Sequence, residues 1–232
     1  MDKVIVVTLA YRPEYTRLLI KALEECRGIE QYKVYFHIEP VSKEVIQIAQ
    51  EAKLDKEIEI NKGIKGCTRN HLDAFSKGFY YTDYVILFED DTIPSKDALQ
   101  YFEWCKTHAD DPRCGWVSGW NQRAPNSDEY TRVSIRNSMR PWGFAIWKDR
   151  WEEALKLWRP KIPHWDMWLW HEALLGRYEV YPRLARVQNI GSKQGSNVPN
   201  FDHYIKHMFN PFCSNLIIGT LDELNRPYRR DW

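Results

Sequence analysis

Short apolar runs alternate along the chain with longer stretches whose apolar positions recur at helical spacing. Residues 4–9 (VIVVTL) form a continuous, largely β-branched run, the pattern of a strand covered on both faces. Ala10-Tyr11-Arg12-Pro13 reads as the following turn, with Pro13 suited to the first turn of a helix. Tyr15, Leu18, Leu19, Ala22 and Leu23 then recur at helical spacing, and Gly28 ends that helix. The pattern repeats: a strand over 33–38, a helix over 42–52 with Ser42 as N-cap, a short strand over 58–60, a helix within 66–79 and a fourth strand over 84–88. Strands alternating with helices predict right-handed βαβ crossovers and a mainly parallel sheet flanked by helices, an α/β domain of the Rossmann-like kind.

Ligands of such sheets bind beyond the carboxyl ends of the strands. That rule puts Arg12, Glu39 and Glu89-Asp90-Asp91 on one rim. Past residue 92 the rhythm loosens. A helix is expected over 98–109, a strand over 116–120, a polar loop over 121–128, helices over 151–158 and 165–175, and a Gly/Ser/Asn-containing loop over 192–199. No repeat or linker interrupts the chain, so its 232 residues read as one domain with a regular half, 1–92, and a less regular half, 93–232.

Composition narrows the function classes. Lys+Arg number 33 and Asp+Glu 32, a balance that argues against general nucleic-acid binding. The 11 tryptophans suit a packed core with some stacking platforms for sugars or bases. Five cysteines without a C-x-x-C, and without Cys/His spacing typical of zinc ligands, read as reduced thiols of a cytoplasmic protein. No apolar run is long enough for a membrane span, so no transmembrane segment is expected.

Three segments carry candidate chemistry. Glu89-Asp90-Asp91 follows an apolar strand directly; adjacent carboxylates repel unless a cation offsets them, and hard oxygens suit Mn²⁺ or Mg²⁺. The competing reading is a solvated acidic turn capping a helix that begins near Pro94. Asp166 lies among Trp165, Met167 and Trp168, where partial desolvation would raise its pKa toward that of a general base; alternatively it caps a helix starting at Met167. The 191–197 stretch reads as a mobile lid carrying donors for phosphate, with Lys193 as the counter-charge and without the P-loop pattern, or as an ordinary surface loop. Arg69 and Asn70 open a helix whose N-terminus suits an anion, whereas His71, standing alone, reads as a surface or core residue. Trp142-Gly143-Phe144 is either a sugar-facing wall or core packing.

The order of these segments resembles the GT-A inverting glycosyltransferases, and most nearly the alpha-mannoside beta-1,2-N-acetylglucosaminyltransferase I family. Phe88-Glu89-Asp90-Asp91 is similar to that family's E-D-D form of the D-x-D motif, and Val117-Ser118-Gly119-Trp120-Asn121 to its V-S-A-W-N. Gly143 and Trp151, Pro160-Lys161 with Trp165-Asp166-x-Trp168, Gly191-x-Lys193-x-x-Ser196, Phe201-Asp202 with Lys206, and Tyr228-Arg229-Arg230-Asp231-Trp232 follow in the family's order. The stretch 140–151 also resembles the W-G-W-A-T-W-K-D-R-W segment of bacterial GT-A enzymes.

The resemblance implies a nucleotide-sugar donor, UDP-linked in this family's manner, and a glycan or glycoconjugate acceptor. By residue, it implies Asp91 as the ligand of Mn²⁺ (or Mg²⁺), Glu89 and Asp90 on nucleotide or sugar hydroxyls, Asp166 as the base, Arg12 and Glu39 beside the uridine, and Ser196 on a donor-ordered loop. Trp120, Asn121, Trp142, Gly143 and Trp165 fall on the substrate side. Two positions depart from the family pattern: Asn70 stands where it has a nucleotide-contacting His, and Glu39 where it has Asp. Lacking the family's Golgi anchor and stem, the chain is expected to be a free-standing viral or bacterial catalytic domain. The alternatives are a sugar-1-phosphate nucleotidyltransferase, disfavoured by the short loop at 10–13, and a non-catalytic sugar-binding relative.

Overall fold

The two faces of each strand bury different residues, and this divides the molecule into layers. The computed structural model describes residues 2–121, 131–159 and 161–191. Its first half runs β1 (Lys3–Leu9), α1 (Pro13–Glu24), β2 (Tyr32–Ile38), α2 (Lys43–Glu51), β3 (Lys56–Ile60), α3 (Cys67–Tyr81) and β4 (Tyr84–Glu89). The second half contains β5 (Thr92–Pro94), α4 (Ala98–His108), β6 (Cys114–Ser118), β7 (Val133–Arg136), β8 (Phe144–Trp147), α5 (Lys148–Leu155), α6 (Trp165–Trp168), β9 (Tyr178–Pro182) and β10 (Val187–Asn189).

Eight strands form one sheet in the order β3-β2-β1-β4-β8-β6-β9-β7. β1 pairs in parallel with both β2 and β4, and β2 with β3; β8 enters antiparallel between β4 and β6, while β9 runs parallel to β6. The expected mostly parallel α/β sheet is therefore present. Ile5, Val7 and Leu9 face one core with α1, α2 and α4, including Leu19, Val45 and Phe102. Val4 and Val6 face the other with α3, α5 and α6, including Phe75, Trp151, Trp165 and Trp168. Burial of such side chains stabilises the fold by about 1.5–3 kcal/mol each.

Local chemistry accounts for the element ends. The Ser42 hydroxyl accepts the Val45 N–H at 3.3 Å and caps α2 as expected. Gly28 adopts φ +82° beyond α1, a left-handed conformation suited to glycine.

Several expectations change in the second half. The strand predicted over 116–120 ends at Ser118, because Gly119 turns away: its N–H reaches Gly143 O at 2.6 Å, and its carbonyl accepts from Arg186 N and Val187 N. The helix expected from Trp151 begins at Lys148, directly after β8. The helix expected over 165–175 is four α-helical residues followed by a π turn over Leu169–Ala173. Strands β5, β7, β9 and β10 have no counterpart in the hydrophobic pattern, and β8 is a buried apolar run of only four residues, Phe144–Trp147. In β9 the reason is Glu179, fully buried in mid-strand, which accepts from Trp116 Nε1 and Arg140 N (both 2.7 Å) and pairs with Arg136. Burial pushes its pKa up to about 7 despite these partners. Of the five cysteines, Cys26, Cys67, Cys105 and Cys114 are free thiols, Cys67 alone among them exposed; Cys213 lies outside the described residues.

Gly143 has φ +61°, and a Cβ there would lie 2.8 Å from Val187 Cβ. Gly143→Ala is therefore expected to destabilise the protein by about 2–4 kcal/mol, through strain and overpacking together. Gly63 is the control, since a Cβ added there would meet nothing within 4 Å. Gly63→Ala should stay within about 0.5 kcal/mol in urea denaturation.

Candidate active site

The site starts from three neighbouring strand ends. Glu39 follows β2, the 10–12 turn follows β1 and Asp90-Asp91 follow β4, and these strands are adjacent in the sheet. The rim expected from the sequence is thus assembled by the β2-β1-β4 order. The acidic residues do not cap a helix: α4 begins only at Ala98, with Asp97 at its N-cap. Asp90 and Asp91 are instead the centre of a tight turn from β4 into β5. Thr92 closes it, its hydroxyl donating to Glu89 O and accepting from Glu89 N, each at 2.8 Å. The far side is fixed by β10, which pairs antiparallel with β5 and whose successor Ile190 donates its N–H to Asp91 O at 2.8 Å.

Asp90 and Asp91 are buried, and Arg12 is their counter-charge. Its guanidinium grips Asp90 through Nε (3.0 Å to Oδ2) and Nη2, and reaches Asp91 Oδ2 from Nη1 at 2.9 Å. Tyr11 and Tyr15 flank it, ring centroids 5.8 and 5.3 Å away. One guanidinium does not offset two buried carboxylates with Glu89 beside them. Desolvation first, then the Glu89 charge, pushes Asp91 up to about 7, with Arg12 opposing. Asp90 is raised by desolvation too, against the pull of Arg12. A divalent cation fits this chemistry: hard oxygens at a strand end with unbalanced negative charge, contributing one or two ligands while diphosphate oxygens complete the shell.

Glu89 faces the other way. Its Oε1 lies 3.0 Å from Nε2 of His71, a buried residue of α3. The same nitrogen is 3.2 Å from Thr8 Oγ1, while Nδ1 lies 2.7 Å from Cys67 O and 3.6 Å from Cys67 Sγ. Desolvation alone would lower the His71 pKa, but Cys67 and Glu89 outweigh it and hold it well above the usual value. His71 also stacks on Trp165, centroids 5.0 Å apart at 17°.

That stack delivers Asp166 to the site. His164 is the N-cap residue of α6, which begins at Trp165, so Asp166 sits in its first turn and is not the cap. Thr68 Oγ1 donates to Pro163 O at 2.9 Å, a second tie between this segment and α3. Asp166 is raised above the usual carboxylate range by burial, with the Glu89 charge adding and the Met167 N–H opposing. Through His71, which pairs with it and stacks on Trp165, Glu89 is linked to the segment that carries Asp166.

The remaining candidates are placed as follows. Glu39 is buried and accepts Lys65 N at 3.1 and 3.0 Å; Asn70, also buried, accepts from Asn61 Nδ2 at 2.7 Å and donates to His37 O at 3.4 Å. Both use their polar atoms to hold the 61–66 segment against the sheet. Arg69 points outward and pairs with Asp73 at 3.1 Å. Trp120 and Trp142 meet edge to face at 4.7 Å, and Asn121 Nδ2 donates to Arg183 O at 2.5 Å. Gly143 is packed under Val187, and Trp165 is core on its Phe75 and Phe144 side. Lys193 and Ser196 lie outside the described residues, as do Pro160, Lys206 and 228–232.

The sequence reading missed His71, Cys67 and Thr8. The signal was present as Cys67-x-x-x-His71, an i,i+4 pair that shares one face of a helix. Its partner Glu89 comes from a different element and is joined only by the fold.

Solved structures share this architecture. Staphylococcus aureus TarS (residues 1–349) superposes with TM-score 0.60 at 12% identity, over 80% of this chain and 59% of that one. TarS solved with UDP-GlcNAc gives TM-score 0.55 at 13% identity, over 78% and 59%. The mannosyltransferase PcManGT from Pyrobaculum calidifontis, in complex with GDP-Man and Mn²⁺, gives 0.58 at 15%, over 83% and 58%. What they share with this chain is the fold, an α/β architecture with a mostly parallel central sheet flanked by helices. The chain spans about three-fifths of the length of these structures. No family model and no curated protein sequence matches it. Among the described residues, no helix is long and apolar enough to cross a membrane.

Arg12→Met removes the counter-charge of two buried carboxylates and should destabilise the protein by about 3–5 kcal/mol in urea denaturation. Arg12→Met combined with Asp90→Asn should cost less than the single change, since one uncompensated charge goes with it.

Proposed function

We propose that the chain is a metal-dependent inverting glycosyltransferase that moves a hexosyl or N-acetylhexosaminyl group from a nucleotide-sugar, in our reading a UDP-sugar, to a hydroxyl of a glycan or glycoconjugate acceptor. The observation that carries this reading is that His71 pairs with Glu89 of the acidic turn and stacks on Trp165, the residue before Asp166. The GDP-Man and Mn²⁺ bound by a protein of the same fold support the donor class and the metal.

In this reading Asp91 holds Mn²⁺ or Mg²⁺, with Arg12 retaining Asp90. The bound ion would offset charge on the departing nucleoside diphosphate. Glu89 and Asp90 take hydroxyls of the donor. Arg69 lies on the nucleotide side; Glu39 and Asn70 act there by fixing the 61–66 backbone, since their polar atoms are already engaged. Lys193 and Ser196 would close over the donor and exclude water. Trp120, Asn121, Trp142, Gly143 and Trp165 form or support the acceptor side, 1–92 serving the nucleotide and 93–232 the acceptor. Asp166 takes the proton of the attacking hydroxyl. Its raised pKa strengthens it as an acceptor, and its place at the head of a short helix keeps it fixed while substrates change.

Asp166→Asn is expected to lower transfer by about 10²–10⁴-fold while leaving nucleotide-sugar affinity unchanged by calorimetry; undiminished turnover would refute the base. A base works only when deprotonated, so kcat/KM in the parent enzyme should fall as pH drops through a pKa above the ordinary carboxylate range, and Asp166→Asn should lack that limb in its residual rate. Asp91→Ala should abolish the Mn²⁺-dependent part of UDP binding, measured by titrating UDP with and without the ion.

A further inference from the structure

We propose that Cys67, His71 and Glu89 form a second cation site, selective for a thiophilic divalent ion of the Zn²⁺ class and distinct from the carboxylate turn at Asp90-Asp91. Their ligand atoms all lie within 4.8 Å of one another. Cys67 is the first residue of α3 and His71 is one turn on, so both project from the same helix face; Glu89 approaches from the end of β4. Cys67 Sγ is 3.6 Å from His71 Nδ1, and Glu89 Oε1 is 3.0 Å from Nε2. A tetrahedral zinc ion, with bonds of about 2.3 Å to sulfur and about 2.0 Å to nitrogen or oxygen, sets its ligand atoms roughly 3.3–3.7 Å apart. The triad therefore needs to contract by at most about 1.3 Å at its widest edge, within the rotamer range of the exposed Cys67 and the part-exposed Glu89.

The outer contacts of the histidine are already in place. Nδ1 has Cys67 O at 2.7 Å and Nε2 faces Glu89 Oε1 at 3.0 Å, so an ion bound at Nε2 leaves Nδ1 its protein oxygen. Stacking on Trp165 fixes the ring plane. Exposed Cys67 leaves an entry path and an open position for water. Sulfur and imidazole select against the oxygen-seeking ions suited to Asp91. The consequence for activity rests on the function proposed above: an ion that takes Glu89 withdraws it from the donor, so occupancy inhibits transfer.

Co²⁺ titrated into the full chain, without nucleotide-sugar, reads the site independently of turnover. A sulfur-to-cobalt charge-transfer band in the near ultraviolet, with intense visible bands of a tetrahedral ion, should saturate at one equivalent and disappear on adding Zn²⁺. Cys67→Ser should remove the near-ultraviolet band, His71→Gln should weaken Co²⁺ binding at least about tenfold, and Asp91→Asn should leave the spectrum unchanged. Circular dichroism of each variant checks its fold. Absence of the band, its survival in Cys67→Ser, or its loss in Asp91→Asn overturns the site. If transfer by the parent protein is seen, Zn²⁺ should inhibit it and Cys67→Ser should relieve the inhibition. If no transfer occurs with any donor, the function proposed above fails while the cobalt spectrum still decides the site.

Discussion

The structure around the rim depends on how three consecutive carboxylates are kept at one strand end. Burying even one unpaired charge is costly, and here two of the three are buried. The chain distributes the load in opposite directions. Arg12, from the turn after β1, takes Asp90 and part of Asp91, whereas His71, from α3, takes Glu89. Each counter-charge comes from an element adjacent in the sheet or packed on it, so assembling the β2-β1-β4 edge and neutralising the turn are the same event. Burial first, and then the charge of Glu89, raises Asp91, and hard oxygens held at a strand end with one guanidinium between two of them are chemically suited to a cation.

His71 couples this arrangement to the second half of the molecule. Its ring is both the partner of Glu89 and the stacking surface for Trp165, the residue before Asp166. The segment carrying Asp166 has little helix of its own, four residues before a π turn, and its position is set by what it packs on: Phe75, Phe144 and His71. A carboxylate so placed gains its raised pKa from burial without a strained backbone; among the described residues only glycines adopt positive φ.

The first half of the fold was legible in the sequence because β1, β2 and β4 are apolar on both faces and separated by helices with recognisable ends, such as Pro13 and Ser42. The rim followed from the rule for parallel sheets, and it brought Arg12, Glu39 and the acidic turn together without a contact being known. The second half was less legible for a physical reason. Its strands are three to five residues long, and they carry polar side chains satisfied across the sheet, as Glu179 is by Trp116 and Arg136. Nor could local pattern reveal that Arg12 grips both aspartates or that Glu89 meets His71. Such pairings join separate elements and exist only once the sheet has closed.

Val187 has a reach that its size does not suggest. Its side chain fills the space a Cβ would need at both Gly119 and Gly143, glycines from two separate segments. The three positions thus behave as a single volume shared among distant stretches of chain. Through evolutionary drift they should be coupled: a larger side chain at Gly119 becomes tolerable only in a lineage where position 187 has shrunk, whereas at Gly143 the left-handed backbone opposes it as well. Such a correlated triplet, found across diverged relatives, would mark where this fold keeps the acidic turn seated against the sheet, even after the residues that do chemistry have been replaced.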